Sequence, residues 1–210
     1  MSEKTERMPP DPEIIKRLQA AFPSTLVDGV DRVLERLPVG EFKIIGAHDI
    51  GPIAISGEIV HIPWRFYTRA FYPFEPAESS LAGLSDRHLA ILACIYTRHH
   101  DGYVRQKYAE RLFSFDAIWV APFVLQLLGE YVIEIVEAIA QNTRRLPRET
   151  YDRFIQENPA FTRLLTQRIV SYWNCYQRVR VLAFKEYAGF QAADALGLWN
   201  KKDIRHLMAR

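Results

Sequence analysis

The stretch Ser85 to Thr143 constrains this chain most, because it reads as one helical pair followed by a second of the same design. The first pair takes Asp86 to His99 and Tyr103 to Phe113, and the second takes Ile118 to Leu128 and Tyr131 to Gln141. At an offset of 28 residues, Leu92 aligns with Val120, Ala93 with Ala121, Tyr103 with Tyr131 and Val104 with Val132. A helical hairpin alone leaves an apolar face in water, and two similar neighbours bury that face by stacking. Ser85 is suited to cap the first helix and Asp101 the second, while Gly129 stops the third. Pro122 either lies just inside the start of its helix or kinks it.

The flanking segments follow other rules. Residues 1–10 carry two prolines and little to bury, which predicts a disordered arm. Asp11 caps a helix with Pro12 in its first turn, and Ser24 opens a second that Pro38 and Gly40 end, so 11–38 reads as a helical hairpin. From Glu41 the period changes to that of strands. Ser56-Gly57 joins two β-branched segments, placing Ile53 and Ile55 on the side of Ile59 or Val60, with a looser turn than Asn-Gly would give. Trp64, Phe66, Tyr67, Phe71, Tyr72 and Phe74 then form an aromatic segment that glues this 41–72 β element to the helices or lines a groove. Residues 147–210 read as C-terminal helices, the longest running from Pro159 to about Glu186 and sampling more than one apolar face, as a central helix would. The whole of 11–210 is expected to form a single domain.

Charge is unevenly spread. Residues 144–210 hold 13 basic and 6 acidic side chains, a net of +7, against −3 for residues 1–82 (9 basic, 12 acidic) and −2 for residues 83–143 (5 basic, 7 acidic). Arg144, Arg145, Arg148, Arg178, Arg180, Lys201 and Lys202 are therefore the candidate basic face, for nucleic acid or an acidic protein. Cys94 and Cys175 both fall in apolar helical surroundings, which predicts buried thiols and a cytoplasmic location. No run approaches the ~18 apolar residues of a membrane span, so no transmembrane segment is expected.

The run His100-Asp101-Gly102-Tyr103-Val104-Arg105, continuing to Ala109 and Leu112, resembles the second helix of a HEAT-like or armadillo-like helical repeat. Asp101 opens that helix, Val104 and Arg105 form its paired position, and Ala109 and Leu112 point inward. In the second unit Ile133 stands where Arg105 would be and Glu137 where Ala109 would be. The resemblance covers about 60 of the 210 residues. It implies an α-solenoid-like stack of helical hairpins; the β-hairpin read near residues 42–62 is not part of that family's pattern, and the two together predict a mainly α, irregular solenoid-like fold with a small β-hairpin insertion. It also implies a non-catalytic scaffold or protein/peptide-interaction module. Trp64, Tyr67, Tyr103, Arg105 and Tyr131 are the residues expected to line an exposed groove for a protein or peptide.

Motifs for chemistry are sparse. No His-Glu-x-x-His, Cys-x-x-Cys, phosphate-binding loop or dinucleotide fingerprint is present, and no cofactor or metal is expected. His99-His100-Asp101 is the one local cluster of acid/base or ligand residues, and an enzyme, if this is one, has its site there. A nucleic-acid binder acting through the basic C-terminal third is the other alternative. Its contacts would be to phosphates, because no recognition-helix motif accompanies the charge.

Overall fold

The computed structural model describes residues 9, 11–45, 49–68 and 75–199. The arm expected over residues 1–10 lies outside these save for Pro9, as do Phe71, Tyr72, Phe74 and the helix expected near the C-terminus. Among the described residues the chain is mainly helical, with nine α-helices and four short strands. Helix α1 (Pro12–Gln19) starts where the sequence places it, the Asp11 carboxylate accepting the Glu13 N–H at 2.9 Å. It buries Ile14 and Leu18, and α2 (Val27–Leu34) buries Val30, Val33 and Leu34 beside it.

Strands β2 (Asp49–Ile55) and β3 (Glu58–Pro63) form the expected hairpin. It is nested within a second ladder, in which β1 (Phe42–Ile44) pairs antiparallel with β4 (Phe66–Thr68). Ile53 lies opposite Val60 and both are buried, whereas Ile59 faces out at 58% exposure. The turn is tighter than the sequence suggests. Ser56 at φ 52° and Gly57 at φ 87° are both left-handed, the geometry of a two-residue type I′ loop that matches strand twist. Serine accepts this conformation at some cost, and Ser56→Asn should raise stability by about 0.5 kcal/mol, read as a higher denaturant midpoint at unchanged slope.

Polar contacts fix the hairpin to the helices on two sides. On one, the His61 N–H donates to the Ala20 carbonyl at 2.7 Å, and Glu58 accepts from the Ser24 N–H and hydroxyl at 2.8 and 3.0 Å. On the other, the buried Asn158 amide pairs with the backbone of Ala54 in β2. Its oxygen accepts the Ala54 N–H at 2.8 Å, and its nitrogen donates to the Ala54 carbonyl at 2.9 Å and to Phe154 at 3.0 Å.

The tandem region forms the interior. Helix α3 (Asp86–Tyr96) begins with a reciprocal capping box between Ser85 and His88, and every residue from Ala90 to Tyr96 is buried. Helix α4 (Gly102–Glu110) follows with Asp101 as its cap. The third expected helix is a 3₁₀ turn (Ile118–Val120), a short α5 (Ala121–Leu125) and a second 3₁₀ turn (Gln126–Gly129). Pro122 sits in the first turn of α5, where its missing N–H is harmless. Helix α6 (Ile133–Gln141) completes the second pair. Then come α7 (Arg148–Glu157), α8 (Pro159–Tyr172) and α9 (Ala188–Ala195). Helix α2 packs on α3, α3 on α4, α4 on α6 and α6 on α9.

One expectation is corrected: the helix beginning at Pro159 packs on α7, α9, β2 and the Gln126–Gly129 turn, but it is shorter than expected. That helix stops at Tyr172 and passes through one π turn, Trp173–Gln177. No glycine or proline ends it. The Trp173 indole N–H instead donates to the Val181 carbonyl at 2.9 Å and its ring packs 5.0 Å from Phe184, so tertiary contacts fold the chain back.

Candidate functional site

The end of α3 and the start of α4 together make an unusual interior. The Phe66 N–H of β4 donates to the Arg98 carbonyl at 2.9 Å, which sets Arg65 of the preceding position beside the last turn of α3. From α4, Arg105 reaches back and donates through Nη1 to the His99 and His100 carbonyls at 3.0 and 2.8 Å. These carbonyls belong to the turn between α3 and α4, outside the hydrogen-bond ladder of either helix. The remaining member, Glu130, follows the Gln126–Gly129 turn. That turn packs closely on α8: a Cβ at Gly129 would lie 3.2 Å from side-chain atoms of Leu165 and Arg168.

Glu130 is buried and binds two arginines at once, with Oε1 on Arg65 Nη2 and Oε2 on Arg105 Nη2 at 3.4 Å. Arg98 is equally buried, and its Nε donates to the Thr97 hydroxyl at 3.2 Å. Arg65 and Arg105 thus share one carboxylate, and the Arg98 charge is felt by all three groups without a contact to the carboxylate. Among the described residues, Arg98 Nη1 and Nη2 and Arg105 Nε have no hydrogen-bond acceptor. Burial, reinforced by the neighbouring Arg65 charge, pulls the Arg98 pKa well below the ordinary guanidinium value. Burial lowers that of Arg105 too, against the opposing pull of Glu130.

Above this interior lies an aromatic surface. Gly102 at the start of α4 faces Val132 at the start of α6, a Cβ at Gly102 falling 3.5 Å from the valine methyls, so the two helix starts pack closely. Tyr103 is 83% and Tyr131 54% exposed. Tyr131 approaches Tyr176 of the π turn at 6.1 Å, and beyond it Val179 and Leu182 are 93% and 81% exposed. Trp64 is half-buried beneath Arg65 and Arg168, whose guanidinium carbons lie 5.3 and 4.5 Å from its ring. Tyr67 is stacked on His100 at 5.5 Å with part of its ring in solvent.

Tyr67, Tyr103 and Tyr131 therefore stand at the surface as expected, but Arg105 does not: it is fully buried, drawn inward by the His99 and His100 carbonyls and by Glu130. The residues the sequence reading missed are Arg65, Arg98 and Glu130, and then Tyr176, Val179 and Leu182. A charge embedded in an apolar run, as Glu130 is between Leu127-Leu128-Gly129 and Tyr131-Val132-Ile133, was the available signal for the first group. Cys94 is buried, but Cys175 is exposed, because the π turn carries it off the buried side of α8.

The basic residues are dispersed over several elements. Arg144, Arg145 and Arg148 are exposed around the α6–α7 connection, and Arg178 and Arg180 follow the π turn. Arg145 donates to Asn142 and Ser114, Arg148 to Asp152 and the Ala195 carbonyl, and Arg178 to Asn174. Lys201 and Lys202 lie outside the described residues.

The His99-His100-Asp101 turn is committed to holding α4. The Asp101 carboxylate accepts the Tyr103 and Val104 N–H groups at 2.8 and 3.2 Å, and His99 Nδ1 accepts the Asp101 N–H at 3.0 Å. Burial first, and then the neighbouring His100, depress the His99 pKa to about 4. Because the folded value is depressed, the unfolded chain takes up the proton first as pH falls below about 6.5. Stability is therefore full above that value and declines as pH falls toward 4, by about 2 kcal/mol at pH 5. Urea unfolding at pH 7.5 and pH 5 should show this loss, and His99→Phe should remove most of it.

Among the described residues, no group of three or more His, Cys, Asp or Glu side chains is placed to hold a metal ion. Nor is any helix long and apolar enough to cross a membrane. No known protein family, curated protein or solved structure matches this chain.

Proposed function

We propose that this protein is a non-catalytic helical interaction module whose surface, from Tyr103 through Tyr131 and Tyr176 to Leu182, binds an acidic segment of a partner protein. The observation that carries this reading is the exposure of Tyr131, Tyr176, Val179 and Leu182, with the Tyr131 and Tyr176 rings 6.1 Å apart. Large apolar side chains gathered in this way mark interaction sites, whereas single ones are ordinary. Aromatic residues are also enriched among the anchors of protein interfaces. A groove of about 750 Å³ opens beside them, lined in part by Trp173, Arg178, Leu182, Phe184 and Lys185. Its charged side chains are cationic, which favours carboxylates in the bound segment.

The succession of α2, α3, α4, α6 and α9, each packed on the next, supports reading the body as a short solenoid-like stack of HEAT-like design. A cytoplasmic location belongs to the same proposal and is supported by two free thiols, Cys94 and Cys175.

Selection from a random peptide library should return sequences with an aromatic or leucine anchor flanked by Asp or Glu. The Val179→Ser/Leu182→Ser variant should fold with stability within about 0.5 kcal/mol of the wild type and retain none of them. An empty selection, with mixed-sequence DNA or RNA retained at low salt and released at high salt, would transfer the function to the basic residues of the C-terminal third.

A further inference from the structure

We propose that Arg98, with Arg65 and Arg105 around it, holds a small oxyanion inside the protein, of the phosphate or carboxylate class. The geometry is that of an incomplete ion cluster. Glu130 supplies both its oxygens to Arg65 and Arg105, and the Arg98 terminal nitrogens have no acceptor among the described residues. Arg105 retains an unused Nε donor as well. Arg98 is 1% exposed, so bulk water does not solvate it.

Three buried guanidinium groups against one carboxylate leave a net charge of +2 (three positive, one negative). The interior does not tolerate that charge uncompensated, and arginine does not shed its proton to escape. The deficit is met by an anion with at least two oxygens, because the planar fork of a guanidinium matches two acceptors side by side. A divalent phosphate or a dicarboxylate cancels the excess outright. Arg65 is also held over the ring of Trp64, with Arg168 beside it.

The full-length protein, dialysed into a buffer free of phosphate and carboxylate, is titrated with inorganic phosphate, with succinate and, for ionic strength, with sodium chloride. Melting is followed in the wild type and in Arg98→Met. Phosphate or succinate should raise the wild-type melting temperature by about 5–10 °C at a hundredfold excess over Kd. The Arg98→Met variant should not respond, and without the anion it should melt no lower than the wild type, since it lacks the uncompensated charge. Whichever of the two anions acts identifies the class. If Arg98→Met does not fold, Arg98→Lys replaces it, with affinity for the anion reduced at least tenfold through loss of the fork. An equal rise in wild type and variant, a rise with chloride alone, or no rise at all would overturn the proposal. None of these outcomes bears on peptide binding at the aromatic surface.

Discussion

Replacing Glu130 with glutamine is expected to destabilise the protein by about 3–5 kcal/mol, the largest effect of any single substitution considered. The exchange preserves shape and leaves no cavity, so the loss reports the charge together with the acceptor that the amide nitrogen cannot offer one of the two arginines. Glu130 is 3% exposed and is the carboxylate in salt-bridge contact with both Arg65 and Arg105. Without it these guanidinium groups face one another and Arg98 across a medium that screens poorly. Arg105 would keep its bonds to the His99 and His100 carbonyls, so α4 should stay in place while its surroundings loosen. Equilibrium unfolding in guanidinium chloride measures the loss. Adding Arg65→Met to Glu130→Gln should recover part of it, giving a coupling energy that a pair of independent sites would lack. A loss below about 1 kcal/mol would mean that solvent reaches the cluster and that its charges are screened as at a surface.

Asn158→Ala should cost about 3 kcal/mol for a different reason. The side chain substitutes for a neighbouring strand, satisfying both backbone groups of Ala54 and the carbonyl of Phe154. Truncation leaves one N–H and two C=O groups short of a partner in a partly or fully buried setting, each costing on the order of 1 kcal/mol. The effect should be local. Amide hydrogen exchange of Ala54 should accelerate far more than that of residues in α3, and Asn158→Asp should fail to rescue because it has no donor for the Ala54 carbonyl. Uniform acceleration across the chain would instead show that Asn158 supports the whole fold and not the docking of the hairpin onto α7 and α8.

The features legible in the sequence were those decided within a few residues of chain. Asp11, Ser85 and Asp101 cap their helices because each offers an oxygen to N–H groups two or three positions on. Ser56-Gly57 turns the hairpin because its two residues occupy the left-handed region that joins twisted strands. The starts of α4 and α6 pack closely, Gly102 on Val132, and Tyr103 and Tyr131 both reach the surface. What escaped depended on distant partners. Pairing of Phe42–Ile44 with Phe66–Thr68 closes around an inserted hairpin, and nothing local marks it. The end of α8 at Tyr172 is imposed by packing of Trp173 against Phe184, with no breaker residue to announce it. Arg105 looks like a solvated helix residue until the turn after α3 presents the His99 and His100 carbonyls and Glu130 arrives from 25 positions away. The same displacement hid the surface: Tyr176 and Leu182 were read as members of a buried helix that does not extend so far.

Calorimetric titration of a library-selected acidic peptide into the wild type and into a Tyr131→Ser/Tyr176→Ser variant tests the interaction reading most directly. Both rings are more than half exposed and lie 6.1 Å apart, so the variant should stay folded. The account predicts saturable one-to-one binding to the wild type, weakened by added salt, and an affinity at least a hundredfold lower in the variant, as expected when two aromatic anchors are removed. Equal affinity in the two proteins, with the variant folded, would contradict it.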